Sequence, residues 1–140
     1  MSQEKVKVVL DTNIIISAAI SSDGNPAKIF ELLLKDEIVN YVTYEILDEI
    51  KKVIERPLFK KYIGADYKKF IMDNLIDKSV LTKSSFDENA VLNDEEDNKF
   101  INCALSIKSI IISGDNHLLS LKNYKGVRIL SPKEFLEEFY

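Results

Sequence analysis

The 140-residue chain is 46% apolar and carries 19 Lys+Arg against 23 Asp+Glu, a formal charge of −4. That size suits one domain over residues 1–140, because two halves would each be too small to bury a good core. The longest apolar run, about Ile14 to Ile20, is shorter than the roughly 18 residues of a membrane span, and the polar opening residues contain no secretory leader, so a soluble cytoplasmic protein without a membrane segment is expected.

The elements follow in order. Val6 to Leu10 is a β-branched run suited to a strand covered on both faces. Asn25-Pro26 is an N-cap and first-turn pair that opens a helix to about Leu34. Ile38 to Val42 is a second strand. Thr43 then caps a helix with Ile46, Leu47, Ile50, Val53 and Ile54 at helical spacing, ended by Arg56-Pro57. Short helices are expected over Leu58 to Ile63 and Tyr67 to Leu75, and a short strand around Val80-Leu81. Residues 82–95 form the only long polar stretch and are expected to be a loop. Asp94 caps a helix from about Glu96 to Ile107, with Phe100, Ile101, Ala104 and Leu105 inward. Ile110 to Ile112 and Val127 to Leu130 are further strands, and Ser131-Pro132-Lys133-Glu134 is a capping box that starts a final helix. Strands alternating with helices imply an α/β fold, a three-layer α/β/α sandwich around a mostly parallel sheet.

Ligand sites of such sheets lie beyond the carboxyl ends of the strands. Asp11 follows the first strand and Asp115 follows Ile110 to Ile112. If those strands are neighbours, both carboxylates enter one crevice; each acid alone reads more simply as a cap of the helix after it, and it is their joint occurrence that favours the crevice. Glu45 and Glu49 share a helix face one turn apart. Asp94-Glu95-Glu96-Asp97 opens the next helix, where the dipole favours negative charge in any case. Clustered carboxylates suit hard divalent cations such as Mg²⁺ and Mn²⁺. One histidine, His117, and one cysteine, Cys103, disfavour zinc and cysteine–histidine catalysis, and no phosphate-binding glycine loop occurs.

Leu10-Asp11-Thr12-Asn13, then Glu49 with Glu55-Arg56-Pro57-Leu58-Phe59, then Asp94 to Phe100, and last Ser113-Gly114-Asp115 together resemble the successive motifs of PIN-domain ribonucleases. These include the VapC-type toxins of toxin–antitoxin pairs. The similarity runs over about residues 6–135. It implies a parallel five-stranded sheet and a nuclease that uses Mg²⁺ or Mn²⁺ to hydrolyse RNA. Carried over, the metal-holding acidic quartet is Asp11, Glu49, Asp97 and Asp115, with Asn13 bonding the acids in place and Ser113 supplying a hydroxyl. Glu45 and Asp94 are the acids of second rank. Many relatives have a further acid where this chain has His117.

RNA needs cations. From Lys51 to Lys69 seven basic residues face only Glu55 and Asp66. Lys51, Lys52, Arg56, Lys60 and Lys61 are the RNA-binding candidates, with Tyr62 and Tyr67 available to stack bases; an ordinary solvated face is the competing reading. The resemblance further implies a homodimer and an antitoxin partner. Two alternatives stand beside it. One is a catalytically silent PIN-like binding module. The other is a phosphotransfer enzyme with Asp11 as nucleophile, whose pattern wants an acid where Asn13 stands.

Overall fold

The computed structural model describes residues 4–91 and 94–140. The chain runs β1 (Val6–Leu10), α1 (Thr12–Ile20), α2 (Asn25–Leu34), β2 (Ile38–Val42), α3 (Tyr44–Ile54), a 3₁₀ turn (Pro57–Lys61), α4 (Ala65–Lys78), β3 (Ser79–Leu81), α5 (Glu95–Ile107), β4 (Ile110–Ile112), α6 (Asn116–Leu119), β5 (Asn123–Tyr124), β6 (Val127–Leu130) and α7 (Pro132–Phe139). The sheet order is β3-β2-β1-β4-β6-β5, and every pair is parallel except β5 with β6.

Five parallel strands are thus present as expected, and β5 adds a sixth. The turn into β6 passes through Lys125 at φ 49 and Gly126 at φ 92, two successive positive values of the kind a tight hairpin requires. Successive residues of a strand point to opposite faces. Val8, Val9 and Leu10 of β1 and Ile111 and Ile112 of β4 are nonetheless all buried. Helices therefore cover both faces, which makes the three layers.

Local chemistry explains most boundaries. Thr43 Oγ1 accepts from the Ile46 N–H at 3.2 Å, and Ile46, Ile50 and Ile54 form the buried stripe of α3. Ser131 and Glu134 close the capping box of α7. Two expectations need correction. The residue before α2 is Gly24, with no side-chain cap bond, so Asn25 is the first helical residue and not the cap. Leu105 is only half-buried, whereas Cys103 is fully buried.

The expected loop at 82–95 is irregular from Thr82, although residues 92–93 lie outside the described residues. Its path is held by α5. Asn98 Oδ1 accepts from the Val91 N–H at 2.7 Å and Asn102 Oδ1 from the Glu88 N–H at 2.7 Å. Among the described residues no helix is long and apolar enough to cross a membrane.

Candidate metal centre

The topology reverses between β1 and β4, since β2 and β3 continue the sheet on one side and β6 and β5 on the other. A crevice opens at the strand ends of such a switch point. The ladder pairs Leu10 with Ile112, so Asp11 and Ser113 leave it side by side. The Asp11 N–H donates to the Ile112 carbonyl at 3.0 Å. The buried Ser113 hydroxyl donates to Asp11 Oδ2 at 2.6 Å and accepts the Asp115 N–H at 2.9 Å. One serine thus joins the two strand-end acids. Asp115 also caps α6, taking the His117 N–H on Oδ1 at 2.8 Å. Asp11 makes no cap bond of that geometry to α1. The cap bond is well formed at Asp115, whereas Asp11 is bonded chiefly by Ser113 and more weakly by the Asn13 N–H.

The sheet is widened here by Asn40 of β2. The β1–β2 register ends at Val8 with Asn40, after which Asn40 Oδ1 accepts the Leu10 N–H at 3.0 Å and its amide donates to Ser79 Oγ at 3.0 Å. This fully buried amide takes over a ladder bond just before Asp11.

The remaining acids come from two helices. Glu49 of α3 accepts the Thr12 hydroxyl on Oε2 and the Lys99 ammonium on Oε1. Asp97, in the first turn of α5, is held by its own N–H donating to Asp94 Oδ1 at 3.1 Å. Asp97 is 8% exposed, and its Oδ2 is buried without a hydrogen-bond partner among the described residues. Burial, then the charges of Asp115 and Asp94, push its carboxyl up to about 7. Burial also raises the Asp11 carboxyl, against the lowering effect of the Ser113 hydroxyl. Such shifts mark a place where like charges have been gathered.

Asp11, Glu49, Asp97 and Asp115 line one cleft of about 400 Å³, with Glu45, Lys52 and Arg56 also on its walls. Asp94 instead faces an adjoining hollow of about 1380 Å³, which shares Glu45, Glu96 and Lys99 with the cleft and lies between α3, the 82–89 segment and α5. Four of the predicted residues lie at or beyond the edge of the cleft. Asn13 is exposed at the cleft edge, and its side chain enters no hydrogen bond among the described residues; it is the second residue of α1 and turns outward, so Ser113 and Thr12 fix the acids in its place. Lys51, Lys60 and Lys61 are exposed and do not line the cleft, while Lys52 pairs with Asp48 at 2.8 Å. Tyr62 and Tyr67 are exposed, and Tyr67 stacks on Phe70 with centroids 5.9 Å apart.

Thr12 and Lys99 are site residues that motif reading passed over, although both lie inside the motifs themselves. The signal for Lys99 was a cation placed between the buried Asn98 and Phe100.

A family model described as PIN domain matches residues 7–117, a span that contains Asp11, Glu49, Asp97 and Asp115. The chain belongs to the PIN-domain family. Its PIN domain is also 40% identical to the uncharacterized protein MJ1680 of Methanocaldococcus jannaschii, in a match covering 99% of this chain and 95% of that protein.

Proposed function

We propose that this PIN domain is a divalent-metal-dependent endoribonuclease, and that it serves as the toxin of a toxin–antitoxin pair in the cytoplasm. The observation that carries the metal reading is Asp97 Oδ2, buried among acids without a hydrogen-bond partner among the described residues, with the His117 ring nitrogen 3.6 Å away. A buried carboxylate oxygen without a partner is costly, and a cation is the partner this all-oxygen donor set suits. Asp11, Glu49, Asp97 and Asp115 would hold Mg²⁺ or Mn²⁺. Such an ion, when bound, would acidify water and offset charge on a phosphodiester.

The protein's own groups do the rest. Ser113 fixes Asp11 relative to Asp115. Thr12 and Lys99 aim Glu49. Lys52 and Arg56 on the cleft wall would meet the phosphate being cut and its neighbours, and Lys51, Lys60 and Lys61 would carry the strand away across the outer face. Family membership supports RNA as substrate. An antitoxin and a second copy of the chain are the proposed protein partners.

A fluorogenic single-stranded RNA, incubated with parent and Asp11→Asn protein in Mg²⁺, Mn²⁺ or EDTA, tests the reading. Cleavage by the parent in metal only, lost in the variant, is expected. No cleavage of any RNA with either ion would remove the nuclease reading. One observation favours the silent-module reading instead: Lys99 already neutralises Glu49 within the protein. On that reading RNA binds equally well in EDTA and is never cut.

A further inference from the structure

The cleft acids offer oxygen, but one nitrogen stands among them. His117 of α6 is held at its backbone by Asp115, and its ring turns back toward the acids. Nδ1 lies 3.6 Å from Asp97 Oδ2 and 3.9 Å from Asp115 Oδ1. One carboxylate oxygen each from Asp94 and Asp97 and one His117 ring nitrogen all fall within 4.8 Å of one another. On a single ion with bonds of about 2.1 Å, trans ligand atoms lie about 4.2 Å apart and cis ones about 3 Å, so the three groups have to draw together by up to about 1–2 Å. The ring is 72% exposed and free to make that adjustment.

The second observation is independent of the clustering. Asp97 Oδ2, the atom facing Nδ1, is buried and unpartnered among the described residues. It lies 3.6 Å from the His117 ring nitrogen.

We propose that His117 supplies a nitrogen ligand beside Asp97 and Asp94, and that this group, at the border between the cleft and the adjoining hollow, selects a first-row transition ion such as Mn²⁺ or Co²⁺ over Mg²⁺. The proposal deepens the metal-centre reading and rests on it. Mg²⁺ seeks oxygen donors in near-ideal octahedra and gives up its waters reluctantly, whereas a mixed nitrogen and oxygen set favours the later ions of the series. Where an acid in place of His117 would leave the site all-oxygen, the imidazole shifts its preference. His117 lies at the exposed edge, where water or substrate would complete the coordination.

The chain has a single histidine, so its imidazole resonances are unambiguous. Calorimetric titration of Mg²⁺, Mn²⁺ and Co²⁺ into the parent, His117→Gln and Asp97→Asn proteins tests the proposal, together with imidazole spectra of the parent in Co²⁺. The parent is expected to bind Mn²⁺ and Co²⁺ about tenfold or more tighter than Mg²⁺. His117→Gln should lose about tenfold in affinity for Mn²⁺ and Co²⁺ and keep its Mg²⁺ affinity within about twofold. The imidazole signals should shift and broaden as Co²⁺ saturates. Unchanged Mn²⁺ affinity in His117→Gln, or imidazole signals that ignore Co²⁺, would overturn the ligand assignment while leaving the metal centre standing if Asp97→Asn loses every ion. A parent that binds none of the three ions overturns the metal centre and this proposal together.

Discussion

Lys99 of α5 reaches across the cleft to Glu49 of α3, so the one helix that carries Asp97 also delivers the cation that neutralises the acid opposite. Both side chains are mostly buried, 15% and 20% exposed, and the Thr12 hydroxyl takes the other oxygen of Glu49. A divalent ion drawn in by Glu49 would therefore compete with an ammonium already in place.

Lys99→Met tests that competition. Removing the ammonium leaves Glu49 short of a partner and should cost about 1–3 kcal/mol of stability in EDTA. The variant should then gain more melting temperature from Mn²⁺ than the parent does, because the ion meets a free carboxylate. Equal gains in the two proteins would show that Glu49 takes no part in ion binding.

Asp11→Asn and Asp115→Asn each remove a negative charge from the cleft at nearly constant volume. Cleavage should fall by at least about a hundredfold in each, a loss of about 3 kcal/mol of transition-state stabilisation, with circular dichroism unchanged. Ser113→Ala keeps both carboxylates and releases the hydroxyl that joins them. It should give an intermediate loss and a Mn²⁺ affinity between those of parent and Asp11→Asn. Full activity in Ser113→Ala would show that the strands alone position Asp11.

The acids also set a pH dependence. In the folded protein Asp97 holds its proton up to about 7, whereas the ordinary value is 3.8. The folded state therefore binds more protons than the unfolded chain between those values, and stability should fall as pH rises through that window. Urea midpoints in EDTA at pH 5, 6, 7 and 8 are expected to decrease in that order and then level off. Asp97→Asn should flatten the series and match or exceed the parent at pH 8. A parent midpoint that rises from pH 5 to 8 contradicts the crowding of charge around Asp97.

Lys52 and Arg56 line the cleft, while Lys60 and Lys61 lie on the 3₁₀ turn beyond it. Replacing Lys52 and Arg56 with Gln should weaken single-stranded RNA binding and reduce the salt slope by about 0.7 per lost phosphate contact. The Lys60 and Lys61 pair should change the slope only if the strand crosses that face. A double Lys52, Arg56 variant with the parent's slope would move the RNA path elsewhere.

The sequence made legible whatever local chemistry decides. Ile38–Val42, Ile110–Ile112 and Val127–Leu130 were readable as β-branched runs, and Thr43, Asp94 and Ser131 as caps whose bonds span only three residues. Helix α1 was hard to read, because its exposed face is marked only by Asn13 and Ser17 and its third exposed position is the apolar Ile20. Strand β5 is two residues long and depends on its hairpin turn. In the site, the four acids follow from strand ends and motif order. The roles of Thr12 and Lys99 depend on α3 and α5 meeting, which no spacing along the chain encodes. Asn13 stands at its motif position on the exposed edge of the cleft, and the bonding role implied for it depends on contacts that the position alone does not encode.

The bond from Ser113 to Asp11 joins residues 102 positions apart, and it exists only when β1 and β4 are paired as Leu10 with Ile112. A slip of one residue would send Asp11 to the opposite side of the sheet. Partly assembled chains, with β1 on β2 but β4 still unpaired, possess half of the acids and no crevice. Any ion that needs both halves is therefore blind to nascent or truncated forms, and its capture certifies that the two ends of the polypeptide have met.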